Sequence, residues 1–176
     1  NDNFKLTGDD ALDALTCLEE AGQAYKKDKK DSDSTAKAIS VLQQAVDTYN
    51  LSGRFARGSK ALESIAEIHE SDDNWEGAIE TYDQIAQIAL NDNKPSQANK
   101  WQLKMANILS EKMEEYARAG EIFKSVGDQS MESNLGKYAA KGYYFQDLCC
   151  LIAIGDCVGV EAGLESCKNT DYSFAS

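Results

Sequence analysis

Three alanines set the frame for this chain. Ala38, Ala78 and Ala119 recur at spacings of 40 and 41 within the similar stretches "AKAISVLQQAVDTY", "EGAIETYDQIAQIA" and "ARAGEIFKSVG". A second register repeats at 40, from "SIAEIHE" at Ser64 to "KMANILS" at Lys104. Inside each copy the apolar residues return every three or four positions, the period of an amphipathic helix. A repeating helix–turn–helix unit cannot bury its apolar face alone and must stack on its neighbours. The pattern therefore calls for an all-α solenoid of helical hairpins, whose concave face is a ready surface for an extended partner.

The periodicity predicts eight helices, over 10–27, 34–51, 54–70, 74–90, 95–112, 115–127, 133–155 and 156–168. Short loops make neighbours antiparallel, with hairpins at 34–70, 74–112 and 115–155 and partial repeats at both ends of one domain, 1–176. The breaks follow local chemistry. "DKKDSDS" interrupts the first run, and Ser52-Gly53 ends the second helix, glycine being suited to the position past a helix end. Asp73 or Asn74 can cap the fourth helix. Pro95, the one proline of the chain, fits the first turn of the fifth.

Thirty acidic residues against eighteen basic ones give a net charge of −12. That balance excludes nucleic acid as a partner, because phosphate binding needs a basic footprint. Against it, Lys60, Lys100 and Lys141 repeat at 40 and 41, and a slip of one turn would put Lys137 in the place of Lys141. In "NKWQLK", Lys100 and Lys104 stand one turn apart, where like charges repel by a few tenths of a kcal/mol. Arg54, Arg57 and Lys60 open the helix 54–70 and Glu63, Glu67 and Glu70 follow, the reverse of what the helix dipole favours. Two readings stay open: a basic strip for an acidic, elongated partner, or ordinary solvated lysines.

Other chemistry is scarce. Asp31-Ser32-Asp33 starts like a calcium loop but lacks the glycine at the sixth position and has Leu42 where the twelfth should be glutamate. His69 is the single histidine and reads as a helix-surface residue, which leaves no His-based metal site or catalytic dyad. Five cysteines, four of them crowded at 149, 150, 157 and 167, make a poor disulfide framework and read as free thiols of a reducing compartment. Cys149, Cys150 and Cys157 are expected in the core, as are Trp75, Trp101, Tyr116, Tyr143, Tyr144 and Phe145. Gly155, Gly159 and Gly163, spaced by four, permit close helix packing. There is no P-loop and no G-x-S-x-G pattern, so the expectation is a protein with no catalytic residues, no metal and no cofactor. No apolar run approaches the length of a membrane span. The start, "NDNFKL", has neither a signal-peptide pattern nor an initiator Met, and a fragment is expected.

Several stretches resemble a known family, the soluble NSF attachment proteins. They are "EAGQAYKK" from Glu20, "SGRFARGSKALESIAEIHES" from Ser52, "NWEGAIETY" from Asn74, "SQANKWQLKMANI" from Ser96 and "SMESNLGKYAAKGYYF" from Ser130. They occur in the family's order through nearly the whole chain. The resemblance implies a tetratricopeptide-like, right-handed sheet of antiparallel hairpins. It implies an adaptor that wraps assembled SNARE complexes of the syntaxin–synaptobrevin type and recruits the AAA ATPase NSF, which disassembles them in vesicle fusion and intracellular transport. By the same likeness the SNARE-binding residues would be Arg54, Lys60, Lys100, Lys104, Lys137 and Lys141, with Arg57 a further candidate. It also implies a cytoplasmic protein, peripheral at membranes. The chain departs from the family in two ways: it begins inside the repeat array, without the amino-terminal membrane loop, and reaches only to "DYSFAS", where the family enters its carboxyl-terminal bundle. Weaker SNARE binding and no stimulation of NSF are expected from that. The "DKKDSDS" stretch exceeds the family's usual loop. The competing reading is a tetratricopeptide-type peptide-binding scaffold or co-chaperone. That class clamps a short acidic tail within a repeat of about 34 residues, whereas lysines strung over several longer repeats favour a long partner. A bare structural scaffold is the third.

Overall fold

The computed structural model describes residues 32–132 and 136–170, together with the single positions Thr16, Glu20 and Ala24. All its elements are helices: α1 (Ser32–Leu51), α2 (Phe55–Ser71), α3 (Trp75–Asn91), α4 (Pro95–Glu111), α5 (Tyr116–Met131), α6 (Gly136–Ala153) and α7 (Cys157–Thr170). No strand occurs among the described residues. The helix expected over 10–27 lies almost wholly outside them. The chain forms two compact units, Asn1–Asn93 and Lys94–Ser176.

The turns explain the repeat. Gly53, Asp73, Asn93 and Glu114 each take a left-handed backbone, with φ of 71°, 54°, 55° and 56°. They stand 20, 20 and 21 residues apart, half the repeat period. A left-handed residue just past a helix end lets the chain reverse at once and returns an amide to the orphaned carbonyls of the last turn. The Arg54 amide thus donates to the Tyr49 carbonyl at 2.8 Å and the Asn74 amide to the His69 carbonyl at 2.9 Å. Asn74 then caps α3, its Oδ1 accepting from the Gly77 amide at 3.1 Å. Of the two cap candidates, Asp73 is the turn residue and Asn74 the cap.

In the first unit α2 packs against both α1 and α3. Ala38, Leu42, Ala45, Val46 and Tyr49 of α1, Leu62, Ile65 and Ala66 of α2, and Ala78, Tyr82, Ile85 and Ala86 of α3 are buried. The register alanines are fully buried: Ala38, Ala78 and Ala119 are all 0% exposed. A methyl group there lets helix backbones approach, and a larger side chain would have to force them apart.

In the second unit α5 packs on α4, α6 on α5 and α7 on α6. Small residues fix the spacing. A Cβ on Gly163 would come within 2.8 Å of Leu148 Cδ2, and one on Gly159 within 3.1 Å of Leu151 Cδ2. The close packing expected of that glycine series holds for these two; Gly155, with φ 76°, is instead the turn before α7.

Several local expectations need correction. The stretch "DKKDSDS" is not wholly a break, because Ser32 already belongs to α1. The calcium-like Ser32 and Asp33 are therefore helical backbone rather than an open loop. The short helix expected at 115–127 runs on to Met131, since Gly127 is buried against Tyr144 and Gln129 and Ser130 stay within the packed turn. Cys150 and Cys167 are buried, but Cys149 and Cys157 are exposed. Cys157 lies on a different helix from Cys150, beyond the Gly155 turn. His69 is half-buried and engaged: Asn74 Nδ2 lies 3.0 Å from its Nδ1.

Candidate functional site

Within the first unit, Arg54 and Arg57 are exposed at the start of α2 and share an open hollow of about 540 Å³ with Gly53, Phe55 and Asp92. Lys60 is exposed one turn beyond Arg57. No acidic residue occupies the first turn of α2, and Arg54 makes no side-chain cap. The reversed charge order seen in the sequence is therefore left uncompensated within the helix, and guanidinium groups stand where the dipole favours an anion.

In the second unit, Lys100 and Lys104 converge on Trp101. Their ammonium nitrogens lie 4.2 Å and 5.4 Å from the centroid of the indole. The ring is buried, at 6% exposure. A cation over the negative face of an indole gains about 0.5–1 kcal/mol at a partly exposed site. That outweighs a repulsion of a few tenths of a kcal/mol between like charges one turn apart. The ring thus resolves the misfit in "NKWQLK" locally and holds two positive charges side by side.

Lys137 and Lys141 lie one turn apart near the start of α6, the first exposed and the second half-buried. Beside them runs a stripe that the basic pattern does not announce. Tyr138, Phe145 and Ile152 are 83%, 64% and 63% exposed, and they repeat every seven residues along one face of α6. Gly142 and Cys149, also exposed, fill the intervening turns. Leu148 and Cys150 meanwhile face the core. A helix apolar on both faces is one that expects cover on both. Phe145, expected in the inter-helix core, belongs to the outer face. The heptad spacing of 138, 145 and 152 is the signal that could have found it; it was masked because both faces of the helix are apolar. Trp101 is core as expected, and Trp75, Tyr116, Tyr143 and Tyr144 are half-buried.

The basic positions thus gather within each unit as Arg54, Arg57 and Lys60 on α2, Lys100 and Lys104 on α4, and Lys137 and Lys141 on α6. The described residues contain no group of acidic, histidine and cysteine side chains placed to hold a metal. No helix among them is long and apolar enough to cross a membrane.

Residues 3–176 of the chain match the family model "Soluble NSF attachment protein, SNAP". The chain belongs to the soluble NSF attachment protein family. It is 30% identical over 169 residues to an alpha-soluble NSF attachment protein of Vitis vinifera, covering 96% of this chain and 56% of that protein. It is 38% identical over 143 residues to the alpha-soluble NSF attachment protein of Mus musculus, covering 81% of this chain and 46% of that one. The vesicular-fusion protein SEC17 of Komagataella phaffii is 27% identical over 172 residues, 97% of this chain and 56% of its own length. The chain thus spans about half the length of these relatives.

Proposed function

We propose that this chain is the SNARE-engaging part of an adaptor that links assembled SNARE complexes to the NSF ATPase in vesicle fusion. Family membership supports the class of function. The observation that carries the reading onto particular residues is the outer face of α6, where Lys137 and Lys141 border the apolar stripe Tyr138–Phe145–Ile152. An acidic coiled bundle offers such a face carboxylates for the ammonium groups and apolar edges for the rings. Arg54, Arg57 and Lys60, and Lys100 and Lys104 held over Trp101, supply further positive charge for a long partner rather than a short tail.

The chain would act by binding alone, with no catalytic residue of its own, from the cytoplasm and peripherally at membranes. The test is binding of an assembled SNARE bundle to this chain. Binding is expected at low salt and lost near ~0.5 M, where the screening length falls to about 4 Å. Charge reversal at Lys137 and Lys141, and separately at Lys100 and Lys104, should abolish it while helicity by circular dichroism is kept. Binding unchanged by both reversals would overturn the proposal.

A further inference from the structure

The second unit holds a cavity that the adaptor role does not use. It measures about 420 Å³ and opens between α5, α6 and α7. That is within the range of small-ligand sites, about 300–1,000 Å³. Leu148 and Leu151 of α6, Ile154 in the turn after it, and Ala162 and Gly163 of α7 give it apolar walls. It lies to one side of the Tyr138–Phe145–Ile152 stripe on α6, since Leu148 and Leu151 are offset from Phe145 by roughly a sixth and a third of a helical turn.

We propose that this cavity binds a small organic cation, a protonated amine carried on an apolar body. The edge of the cavity carries three carboxylates, Glu121, Asp128 and Asp147, and one ammonium, Lys124. Asp147 is half-buried. A Cβ on Gly120 would stand 2.9 Å from Asp147 Oδ1, so the glycine opens a notch in α5 that the carboxylate occupies. Burial pushes the Asp147 carboxyl up, Asp128 pushes the same way, and Lys124 offsets only part of it. The site is short of positive charge at a half-buried carboxylate, and a ligand cation there recovers what desolvation costs. Asp128 is already fixed as an acceptor by the Tyr144 hydroxyl at 2.8 Å.

The rest of the lining narrows the class. The thiols of Cys150 and Cys167 are pushed up by burial, so they stay protonated and serve as apolar wall rather than nucleophiles. The carboxylates do not converge into a metal-binding group. An anion meets three like charges. An organic cation with a hydrocarbon or aromatic body satisfies both the edge and the walls. The proposal is independent of SNARE binding.

The test is titration of the 176-residue chain with a matched set, 4-phenylbutylamine, 4-phenylbutanol and 4-phenylbutyrate, followed by amide shifts in two-dimensional NMR. The amine is expected to shift Gly120, Gly163, Cys150 and Cys167 and to bind about tenfold more tightly than the butyrate. Occupancy should also lower the titration midpoint of the Asp147 carboxyl. Asp147→Asn should weaken the amine about tenfold and leave the alcohol unchanged. Should that variant not fold, Glu121→Gln, at an exposed position, is expected to weaken the amine alone, about twofold to threefold. Equal binding of amine, alcohol and butyrate, shifts elsewhere in the chain, or no saturation by the amine overturns the proposal. So does binding of a basic, apolar peptide at these positions where the amine does not bind.

Discussion

Tyr82 of α3 donates its hydroxyl hydrogen to the Glu70 carboxylate of α2 at 2.9 Å. The ring is 1% exposed, so the phenol crosses the buried interface and reaches the acid at the far edge of its neighbour. The second unit repeats the device, with Tyr144 of α6 donating to Asp128 of α5 at 2.8 Å. Burial, and then the hydrogen bond to the carboxylate, push both phenols well above their ordinary range, so both remain donors at any physiological pH. Tyr82→Phe keeps the packing and removes the bond. It is expected to cost about 1 kcal/mol in urea unfolding with an unchanged m-value. A stability equal to the parent would show that water satisfies Glu70 equally well.

His69 makes the first unit sensitive to mild acid. Burial lowers its pKa despite the opposing carboxylates of Asp72 and Glu80. The Asn74 amide group donates to Nδ1, which therefore has to be the unprotonated nitrogen. The unfolded chain takes up a proton as pH falls through about 6.5, before the folded chain does. Stability is therefore fully present above that pH and is lost as pH falls toward the lower, folded-state value. Unfolding midpoints measured from pH 7.5 to 5.5 should decline, and His69→Gln should flatten that part of the profile. A slope that persists in His69→Gln would place the titrating group elsewhere.

Two glycines one element apart should answer an alanine substitution with opposite signs. A Cβ on Gly127 of α5 would press into the Tyr144 ring at 2.8–3.2 Å, and that ring is tethered by its hydroxyl to Asp128. Gly127→Ala is expected to cost about 1–3 kcal/mol. Gly142 sits exposed within α6 with nothing inside 4 Å of the added atom. Gly142→Ala is expected to stabilise by about 0.5–1 kcal/mol. Thermal unfolding of the pair decides it, and a shift of the same sign in both would contradict the packing described for Tyr144.

Phe145 separates binding from folding. At 64% exposure it contributes little to the core. Phe145→Ala should move stability by no more than about 0.5 kcal/mol and weaken SNARE-bundle binding by roughly tenfold or more, as an aromatic anchor does. Large destabilisation with unchanged affinity would return Phe145 to the inter-helix core where its sequence context places it.

Much of the helical layout was legible because it rests on local, periodic causes. The 3.6-residue apolar period located every described helix, and Gly53, Asn74 and Pro95 marked boundaries through backbone rules that act within a few residues. The turn signal was also present, as glycine, aspartate and asparagine at 53, 73 and 93, but Glu114 broke the pattern. Its left-handed backbone is imposed by the helices on either side rather than chosen by the residue. Basic residues were easy to place on helices, and the family resemblance gave them a role. What the basic register missed was the apolar half of the α6 surface.

The sequence by itself determined that this is a repeat of helical hairpins and which alanines share its register, because both follow from spacing along the chain. Only the tertiary structure decided which side of α6 is core, that Lys100 and Lys104 rest on the Trp101 ring, and that a cavity edged by Asp147 opens between α5, α6 and α7. Those depend on which helix lies against which. A helix apolar all round, such as α6, carries no label for the face its neighbours will choose.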